Sequence, residues 1–211
     1  MKKTKVLNLY AGIGGNRKNW ENVEVTAVEY NEEIANVYSQ LHPGDTVIVA
    51  DAHDYLAKNW RQFDFIWSSP PCQSHSKVRM MASKAGSYDA VMPDMKLWAE
   101  IIFLQNFTKN SGIKFVVENV KPYYEPLVKP TVKLGRHLFW SNFEIPFIKI
   151  EDGLTHNERG SSDKGYFDLR PFKMEHRKDQ VIRNCVYPEL GRYVFECSKG
   201  NFYFEEKPNL L

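Results

Sequence analysis

The first two-thirds of the chain alternates between short β-rich runs and helical patterns, and this alternation restricts the fold most. The strand candidates are Lys5 to Tyr10, Val23 to Glu29, Thr46 to Ala50, Phe63 to Trp67 and Lys114 to Val117. Strands that alternate with helices favour a doubly wound, mostly parallel sheet in a single α/β domain. In such a sheet, ligands bind at the carboxyl ends of the strands.

Two of the intervening segments carry clear helical patterns. In NEEIANVYSQLHPG the apolar residues recur at helical spacing behind Asn31, which is suited to cap the helix, and Pro43-Gly44 ends it. The segment PDMKLWAEIIFLQNF repeats the pattern, with Pro93 in the first turn and Leu97 on the apolar face. Both segments are long enough to cross over between parallel strands.

Composition excludes several classes of protein. The 211 residues are 43% hydrophobic and 26% charged, which is ordinary for one globular domain and excludes intrinsic disorder. The net charge of +2 is too small to indicate nucleic-acid binding by itself. Nucleic-acid binding therefore has to be judged from the distribution of charge along the chain.

The three cysteines, Cys72, Cys185 and Cys197, are widely spaced and form no CxxC pair. This spacing indicates neither a disulfide framework nor a cysteine-rich zinc site, so we expect reduced thiols and no metal. The opening MKKTKVLNLY lacks the apolar region of a signal peptide, and no later apolar run reaches membrane-spanning length. We expect a cytoplasmic protein without membrane contact.

Each predicted strand ends in polar residues or in a glycine-rich turn. These ends are YAGIGG from Tyr10 to Gly15, then Glu29, Asp51, Pro70-Pro71-Cys72 and Glu118-Asn119. A glycine-rich turn lets a ligand approach the backbone, and a carboxylate at the next strand end accepts from ribose hydroxyls. AGIGG is not the complete G-x-G-x-x-G, so by itself the loop also fits a simple strand-to-helix turn. The carboxylates that follow in register favour a nucleotide-like cofactor.

The stretch WSSPPCQSHS places Cys72 directly after two prolines. Prolines fix the backbone and remove amide donors, so they hold the next side chain in one orientation. This predicts a presented thiol. Cysteine is also a common core residue, and a buried apolar thiol is the alternative for Cys72 taken alone.

Five segments in order resemble the bacterial and phage DNA cytosine-5 methyltransferases. They are NLYAGIGG, SSPPCQSHS, FVVENV, LGRHLFWSNF and RNCVYPELGRYVFE, and together they span nearly the whole chain. The resemblance implies the Rossmann-like fold of class I methyltransferases that depend on S-adenosylmethionine (SAM). It also implies methyl transfer to carbon 5 of cytosine in DNA, with residues 1–211 forming one catalytic domain.

The resemblance assigns three catalytic residues. Cys72 would add to carbon 6 of a flipped cytosine, because carbon 5 is a poor nucleophile until a thiolate activates the ring. Glu118 would protonate or hydrogen-bond ring nitrogen 3, for which burial would have to raise its pKa; a salt-bridged glutamate is the alternative. Arg136 would hold the cytosine carbonyl.

The resemblance also assigns the pocket for SAM and for its product, S-adenosylhomocysteine (SAH). Glu29 would bind the ribose hydroxyls and Asp51 the adenine amino group. The remaining expected contacts are Tyr10, Ala11, Gly12, Gly15, Pro71, Leu97, Asn184 and Cys185. Cys185 stands where the family commonly has serine, and a core residue at a helix start is its alternative role.

The sequence departs from the family pattern at three places. Asn8 replaces the aspartate that usually opens the first motif, and only Arg136 remains of the two arginines in the eighth motif. The long recognition domain of the family is reduced to an insert of about residues 147–178, which reads as a loop. We therefore expect a short or relaxed target sequence, unless a protein partner supplies recognition.

Basic residues flank the predicted pocket. The expected DNA contacts are Lys77, Arg79, Lys84, Lys121 and Lys133, while Gly86-Ser87 suggests a mobile loop. Exposed lysines are usually just solvated, so these residues only support the assignment. Two alternatives remain: a methyltransferase for RNA cytosine, and a DNA-binding or regulatory relic without catalysis.

Overall fold

The computed structural model describes residues 2–149 and 167–202, and within them the chain forms one seven-stranded sheet. The strands are β1 Thr4–Leu9, β2 Val23–Glu29, β3 Thr46–Val49, β4 Phe65–Ser68, β5 Lys114–Val120, β6 Val132–Leu134 and β7 His137–Ser141. Their order across the sheet is β3-β2-β1-β4-β5-β7-β6. Strands β1 to β5 pair in parallel, whereas β7 runs antiparallel to β5 and β6.

Six α-helices accompany the sheet in the described residues. They are α1 Glu32–Leu41, α2 Ala52–Asn59, α3 Lys77–Lys84, α4 Lys96–Phe107, α5 Lys178–Arg183 and α6 Pro188–Ser198, with a 3₁₀ turn at Trp60–Gln62. None of them is long and apolar enough to cross a membrane. The helices connect and cover the parallel strands as the alternating pattern predicts.

The strand order reverses between β1 and β4. The chain winds from β1 outwards through β2 to β3 and then returns to β4 on the other side of β1, with Leu9 paired to Ser68. This reversal opens a crevice at the carboxyl edge between the two strands, where ligands of doubly wound sheets bind. The predicted doubly wound, mostly parallel fold is confirmed.

Two local predictions need correction. Strand β5 continues to Val120, because antiparallel pairing with β7 extends its ladder, so Glu118 lies within the strand. Helix α4 begins at Lys96, so Pro93 precedes the helix and does not lie in its first turn. Gly86 and Ser87 follow the end of α3, where the Gly86 amide donates to the Ser83 carbonyl.

The sheet is buried on both faces. Leu7 and Ile66 point to one face, where they pack with Leu56 and Trp98 from the covering helices. On the other face the core includes Val6, Phe65, Trp67, Phe139, Trp20 and Phe195. Burial on both faces accounts for the nearly continuous apolar runs of β1 and β4.

The glycine-rich loop after β1 packs tightly against the last helical segment. A Cβ on Gly15 would lie 2.6 Å from the Cβ of Cys185, and a Cβ on Gly191 would lie 2.3 Å from the carbonyl oxygen of Asn16. The Trp20 indole also donates to the Gly191 carbonyl at 3.0 Å. The first and last motifs of the sequence therefore form one contact, in which glycine is required for close approach.

We expect Gly191→Ala to destabilise the fold by about 1–3 kcal/mol, because the added methyl group overlaps the backbone of Asn16. Urea unfolding followed by tryptophan fluorescence measures the change. The matched control is Gly44→Ala, since nothing lies within 4 Å of a Cβ at Gly44. If the two variants are equally stable, the contact between Gly191 and Asn16 accommodates the added methyl group and the prediction is wrong.

Candidate active site

The loop after β1 forms an open cradle at the carboxyl edge of the sheet. Tyr10 and Gly12 both have positive φ angles, 54° and 55°, which turn the chain sharply away from the strand. The Ala11 amide donates to the Val28 carbonyl of the neighbouring strand. No atom lies within 4 Å of the position that a Cβ on Gly12 would occupy. The backbone at Gly12 is therefore accessible to a ligand.

Two carboxylates stand beside this cradle. Glu29 accepts from the Gly12 amide at 3.0 Å and from the Asn31 amide at 2.9 Å, so its side chain is fixed at the end of β2. Asp51 caps α2 and forms an ion pair with Lys96 at 2.9 Å, and the hydrogen bond from Lys96 lowers the pKa of Asp51. An open glycine and two carboxyl groups fit the ribose and amine groups of a nucleoside.

The other expected cofactor contacts differ in exposure. Ala11 and Leu97 are buried, and Leu97 belongs to the core under the crevice. Asn184 is the exposed C-cap of α5, Pro71 is exposed, and Cys185 is half-buried against Gly15. Leu97 thus supports the crevice from below, while Asn184 and Pro71 are open to solvent.

Cys72 lies on a rigid segment after β4, as the two prolines predict. The Asn119 side-chain amide donates to the Pro70 carbonyl at 2.8 Å, and the His75 amide donates to the Cys72 carbonyl at 3.0 Å. The thiol is half-buried. Burial and the charge of Glu118 raise the pKa of the Cys72 thiol, and Arg136 partly offsets this rise. The thiol is therefore protonated at neutral pH.

Glu118 lies on β5, next to β4, and is buried with both carboxylate oxygens occupied. Ser69 donates to Oε2 at 2.8 Å, and His137 Nδ1 lies 2.6 Å from Oε1. Burial opposes ionisation, but the His137 ring, the hydrogen bonds and the charge of Arg136 together lower the pKa of Glu118. The expectation of a raised pKa is wrong in this structure, where Ser69 and His137 hydrogen-bond to both oxygens of the carboxylate.

Arg136 lies in the turn between β6 and β7 and not on a strand. Its side chain is exposed, and its guanidinium donates to the Arg183 carbonyl at 3.1 Å and to His137 Nε2 at 3.2 Å. Because Arg136 can only donate, Nε2 of His137 accepts and the ring proton lies on Nδ1. His137 therefore donates to Glu118 and links Arg136 to the carboxylate.

The predicted nucleic-acid contacts lie on segments that follow the Cys72 and Glu118 strands. Lys77, Lys84, Lys121 and Lys133 are exposed, and the Arg79 guanidinium stacks 4.2 Å from the centre of the Tyr88 ring. The Tyr123 amide donates to the His75 carbonyl and joins the two segments. The basic residues thus flank the site from two connected sides.

Sequence reasoning missed two residues of this site. His137 was not predicted as a site residue, although a polar residue at the start of the apolar run LFW could have indicated a role in the site. Glu100 is fully buried and accepts from the Tyr10 hydroxyl. The sequence feature that could have indicated Glu100 is its position one helical turn after Leu97, on the apolar face of α4, where a glutamate is unusual.

In the part of the chain that the structure describes, no three His, Cys, Asp or Glu side chains are grouped to hold a metal ion. The crevice at the strand reversal has Cys72 after the neighbouring strand β4 and Glu118 on the adjacent strand β5. The doubly wound sheet has the Rossmann-like topology of class I SAM-dependent methyltransferases.

The family model described as C-5 cytosine-specific DNA methylase matches residues 4–132. The chain belongs to this family. The match includes the loop after β1, Cys72 and Glu118, and it confirms the family resemblance that these motifs indicate. The segments LGRHLFWSNF, with Arg136, and RNCVYPELGRYVFE lie outside the matched residues.

Solved structures with similar folds include methyltransferases from three organisms. A SAM-dependent methyltransferase of Agrobacterium tumefaciens is 14% identical, with a TM-score of 0.39 and coverage of 58% of this chain and 40% of that one. Methyltransferase EhMeth of Entamoeba histolytica is 20% identical, with TM-score 0.39 and coverage of 60% and 41%. A DNMT2 mutant of Spodoptera frugiperda is 22% identical, with TM-score 0.41 and coverage of 59% and 38%.

The chain thus spans about 40% of the length of these three structures. A search of the curated proteins gives no match.

We expect His137→Gln to raise the pKa of Glu118, because the buried carboxylate keeps its desolvation cost and loses the histidine. Carbon-13 NMR of labelled glutamate measures this pKa. A lowered folded-state pKa stabilises the fold above the unfolded value of about 4.3, and this stabilisation disappears as the pH falls through the folded pKa. The variant should therefore lose stability at neutral pH and approach the wild type in acid.

The control for this titration is His176→Gln, which removes an exposed histidine paired with Glu33. It should leave the Glu118 carboxyl signal unchanged. If His137→Gln also leaves the pKa of Glu118 unchanged, Ser69 and Arg136 suffice to hold the carboxylate ionised.

Proposed function

We propose that this chain transfers a methyl group from SAM to carbon 5 of cytosine in DNA. The observation that carries the proposal is the position of Cys72 directly after β4, beside strand β5 with Glu118, and the link from Glu118 through His137 to Arg136. These residues carry the chemistry that a cytosine ring needs at carbon 6, at nitrogen 3 and at the carbonyl oxygen. Family membership supports the reaction type.

The cradle at the end of β1 would hold the cofactor. Glu29 would accept from the ribose hydroxyls, Asp51 would bind the adenine amine, and the backbone at Gly12 would approach the amino-acid part. Bound SAM supplies an electrophilic methyl group on its sulfonium. The exposed ring of Tyr30, directly after Glu29, is placed to cover the base of the nucleoside.

The proposed reaction begins at the Cys72 thiol. The thiol loses its proton, and the thiolate sulfur forms a bond to carbon 6 of the flipped base. The electrons of the carbon 5–carbon 6 double bond would then form a carbon 4–carbon 5 double bond, and those of the nitrogen 3–carbon 4 double bond would move to nitrogen 3, which takes up a proton. The resulting enamine would attack the methyl group of SAM through carbon 5, and the bond from that methyl group to the sulfonium sulfur would break to leave SAH. Loss of the carbon 5 proton to a base reforms the double bond and expels the Cys72 thiolate.

Glu118, His137 and Arg136 would handle the charge that develops on the ring. Addition of the thiolate pushes electron density towards nitrogen 3, which needs a proton. His137 donates a hydrogen bond to Glu118, with its Nδ1 2.6 Å from Oε1. A proton shared between these two side chains would therefore stay next to the carboxylate. Negative charge that develops at nitrogen 3 beside Glu118 would favour the protonated form of the carboxyl group. Arg136 would hold the cytosine carbonyl.

DNA would approach over the basic residues that flank the site. The exposed lysines, Lys77, Lys84, Lys121 and Lys133, with Arg79, would contact phosphates without reading sequence. Residues 1–211 would form one catalytic domain, with residues 147–178 as a reduced recognition insert. Residues 150–166 of this insert lie outside the described residues. A protein partner for recognition stays a prediction.

The proposal is tested by covalent trapping at Cys72. A duplex that contains 5-fluorocytosine should form a denaturation-resistant adduct in the presence of SAM, because fluorine cannot leave as the proton does. Cys72→Ser should abolish the adduct, and Cys197→Ala should retain it, since Cys197 lies in the core around α6. Gel electrophoresis followed by peptide mapping identifies the attached residue.

The same experiment separates the alternatives. A matched RNA that is trapped in preference to the DNA duplex would replace DNA by RNA as the substrate. Absence of any adduct, together with absence of methylated cytosine in both nucleic acids, would support the relic without catalysis. An adduct that persists in Cys72→Ser would refute the role of Cys72.

We expect Glu29→Ala to weaken SAM binding by about 1.5–3 kcal/mol, because charge-assisted hydrogen bonds to the ribose are lost. Isothermal titration calorimetry measures the affinity. Glu24→Ala is the control, since Glu24 is an exposed glutamate on the same strand. If both variants bind SAM equally well, Glu29 does not hold the ribose.

A further inference from the structure

A buried carboxylate lies under the crevice, and the catalytic scheme leaves it unused. Glu100 on α4 has no exposed surface. It accepts hydrogen bonds from the Ser68 hydroxyl at 2.6 Å and from the Tyr10 hydroxyl, and His53 Nδ1 lies 3.0 Å from its Oε1. An ionised carboxylate only accepts, so three converging donors suit the charged form. A buried charge needs such partners to be tolerated.

The partners of Glu100 come from the two strands where the strand order reverses. Ser68 ends β4 and Tyr10 directly follows β1, and the pairing of Leu9 with Ser68 brings the two together. His53 comes from the first turn of α2, after β3. The carboxylate therefore lies at the switch point, under the place where a doubly wound sheet binds its ligand.

The partners of Glu100 can neutralise its charge only when His53 is protonated. Of the three donors, only His53 can carry a positive charge, and its side chain is about one-third exposed. The nearby ammonium of Lys96 pairs with Asp51 at 2.9 Å. With neutral His53, a net negative charge therefore remains below the crevice.

We propose that Glu100 is a positioning residue that makes the pocket prefer the sulfonium cofactor to its thioether product. The inference rests on the proposed function, because it takes SAM and SAH as the ligands. Glu100 fixes the Tyr10 hydroxyl and the His53 ring, and its charge acts through a medium of low dielectric constant. Transfer of the methyl group removes the positive charge from the cofactor, so the attraction disappears with the reaction and favours release of SAH.

The preference should depend on the protonation of His53. The groups that face His53 are Glu100 and Lys96 from α4 and Asp51 before α2. The hydrogen bond to Glu100 raises the pKa of His53, burial lowers it, and the net shift is upward. Below this pKa the imidazolium offsets Glu100, so the ratio of SAM affinity to SAH affinity should be low. It should increase as the pH passes above the pKa.

Calorimetric titration of the full chain with SAM and with SAH tests the inference. We expect Glu100→Gln to lower the ratio of the two affinities by about five- to tenfold at pH 7.5, with the SAH affinity within about twofold of the wild type. The control Glu196→Gln removes a carboxylate paired with Lys199 on α6 and should leave the ratio unchanged. An equal loss for both ligands in Glu100→Gln would show a merely structural role and overturn the inference.

Two further variants separate charge from geometry. Tyr10→Phe removes one hydrogen bond and no charge, so it should shift both affinities by the same factor. His53→Gln should remove the pH dependence of the ratio, measured from pH 5.5 to pH 9 because the pKa of His53 is raised. This second arm decides the question if Glu100→Gln does not fold, and a wild-type ratio that is constant over this range would overturn the inference.

The outcomes also distinguish this inference from the proposed function. A wild-type chain that binds neither SAM nor SAH would refute the proposed function, and the inference would fall with it. Wild-type binding of both ligands, with a ratio that is insensitive to Glu100 and His53, would overturn the inference alone.

Discussion

The parallel pairing of β1 with β4 is the contact around which the proposed site is arranged. The register that pairs Leu9 with Ser68 brings the glycine-rich loop and the Cys72 segment to the same edge of the sheet. A slip of one residue would turn the side chains of either strand to the opposite face. Buried residues on both faces, such as Val6 and Leu7, make that slip costly, so the core fixes the geometry of the site.

The free protein holds the Cys72 thiol in an unreactive state. Burial and the anionic Glu118 disfavour the thiolate, while Arg136 favours it only in part. In the proposed reaction, a bound base would place its ring between these groups and change that balance. A thiol that stays protonated between turnovers is also less exposed to oxidation, because the thiolate is the form that reacts with oxidants. In the proposed reaction, the Cys72 thiol would therefore become reactive only when a base occupies the site.

Periodicity and strand-end chemistry predict much of this structure. The doubly wound sheet and the Asn31 cap follow from local patterns that short-range sterics and hydrogen bonds enforce. Patterns along the chain could not predict that the pKa of Glu118 is lowered. It depends on His137, which reaches β5 only through antiparallel pairing with β7. Glu100 was missed for the same reason, since its partners come from three segments distant in sequence.

The protein core holds the chain on both sides of residues 150–166. Ile145 is buried in the cluster that contains Phe65, and Leu169 packs in the cluster that contains Ile13. The entropy of closing a loop between fixed ends increases only slowly with its length. A longer or shorter connection between these two anchors would therefore cost little stability, and in the proposed function the recognition insert could change in length without moving the residues at the sheet edge.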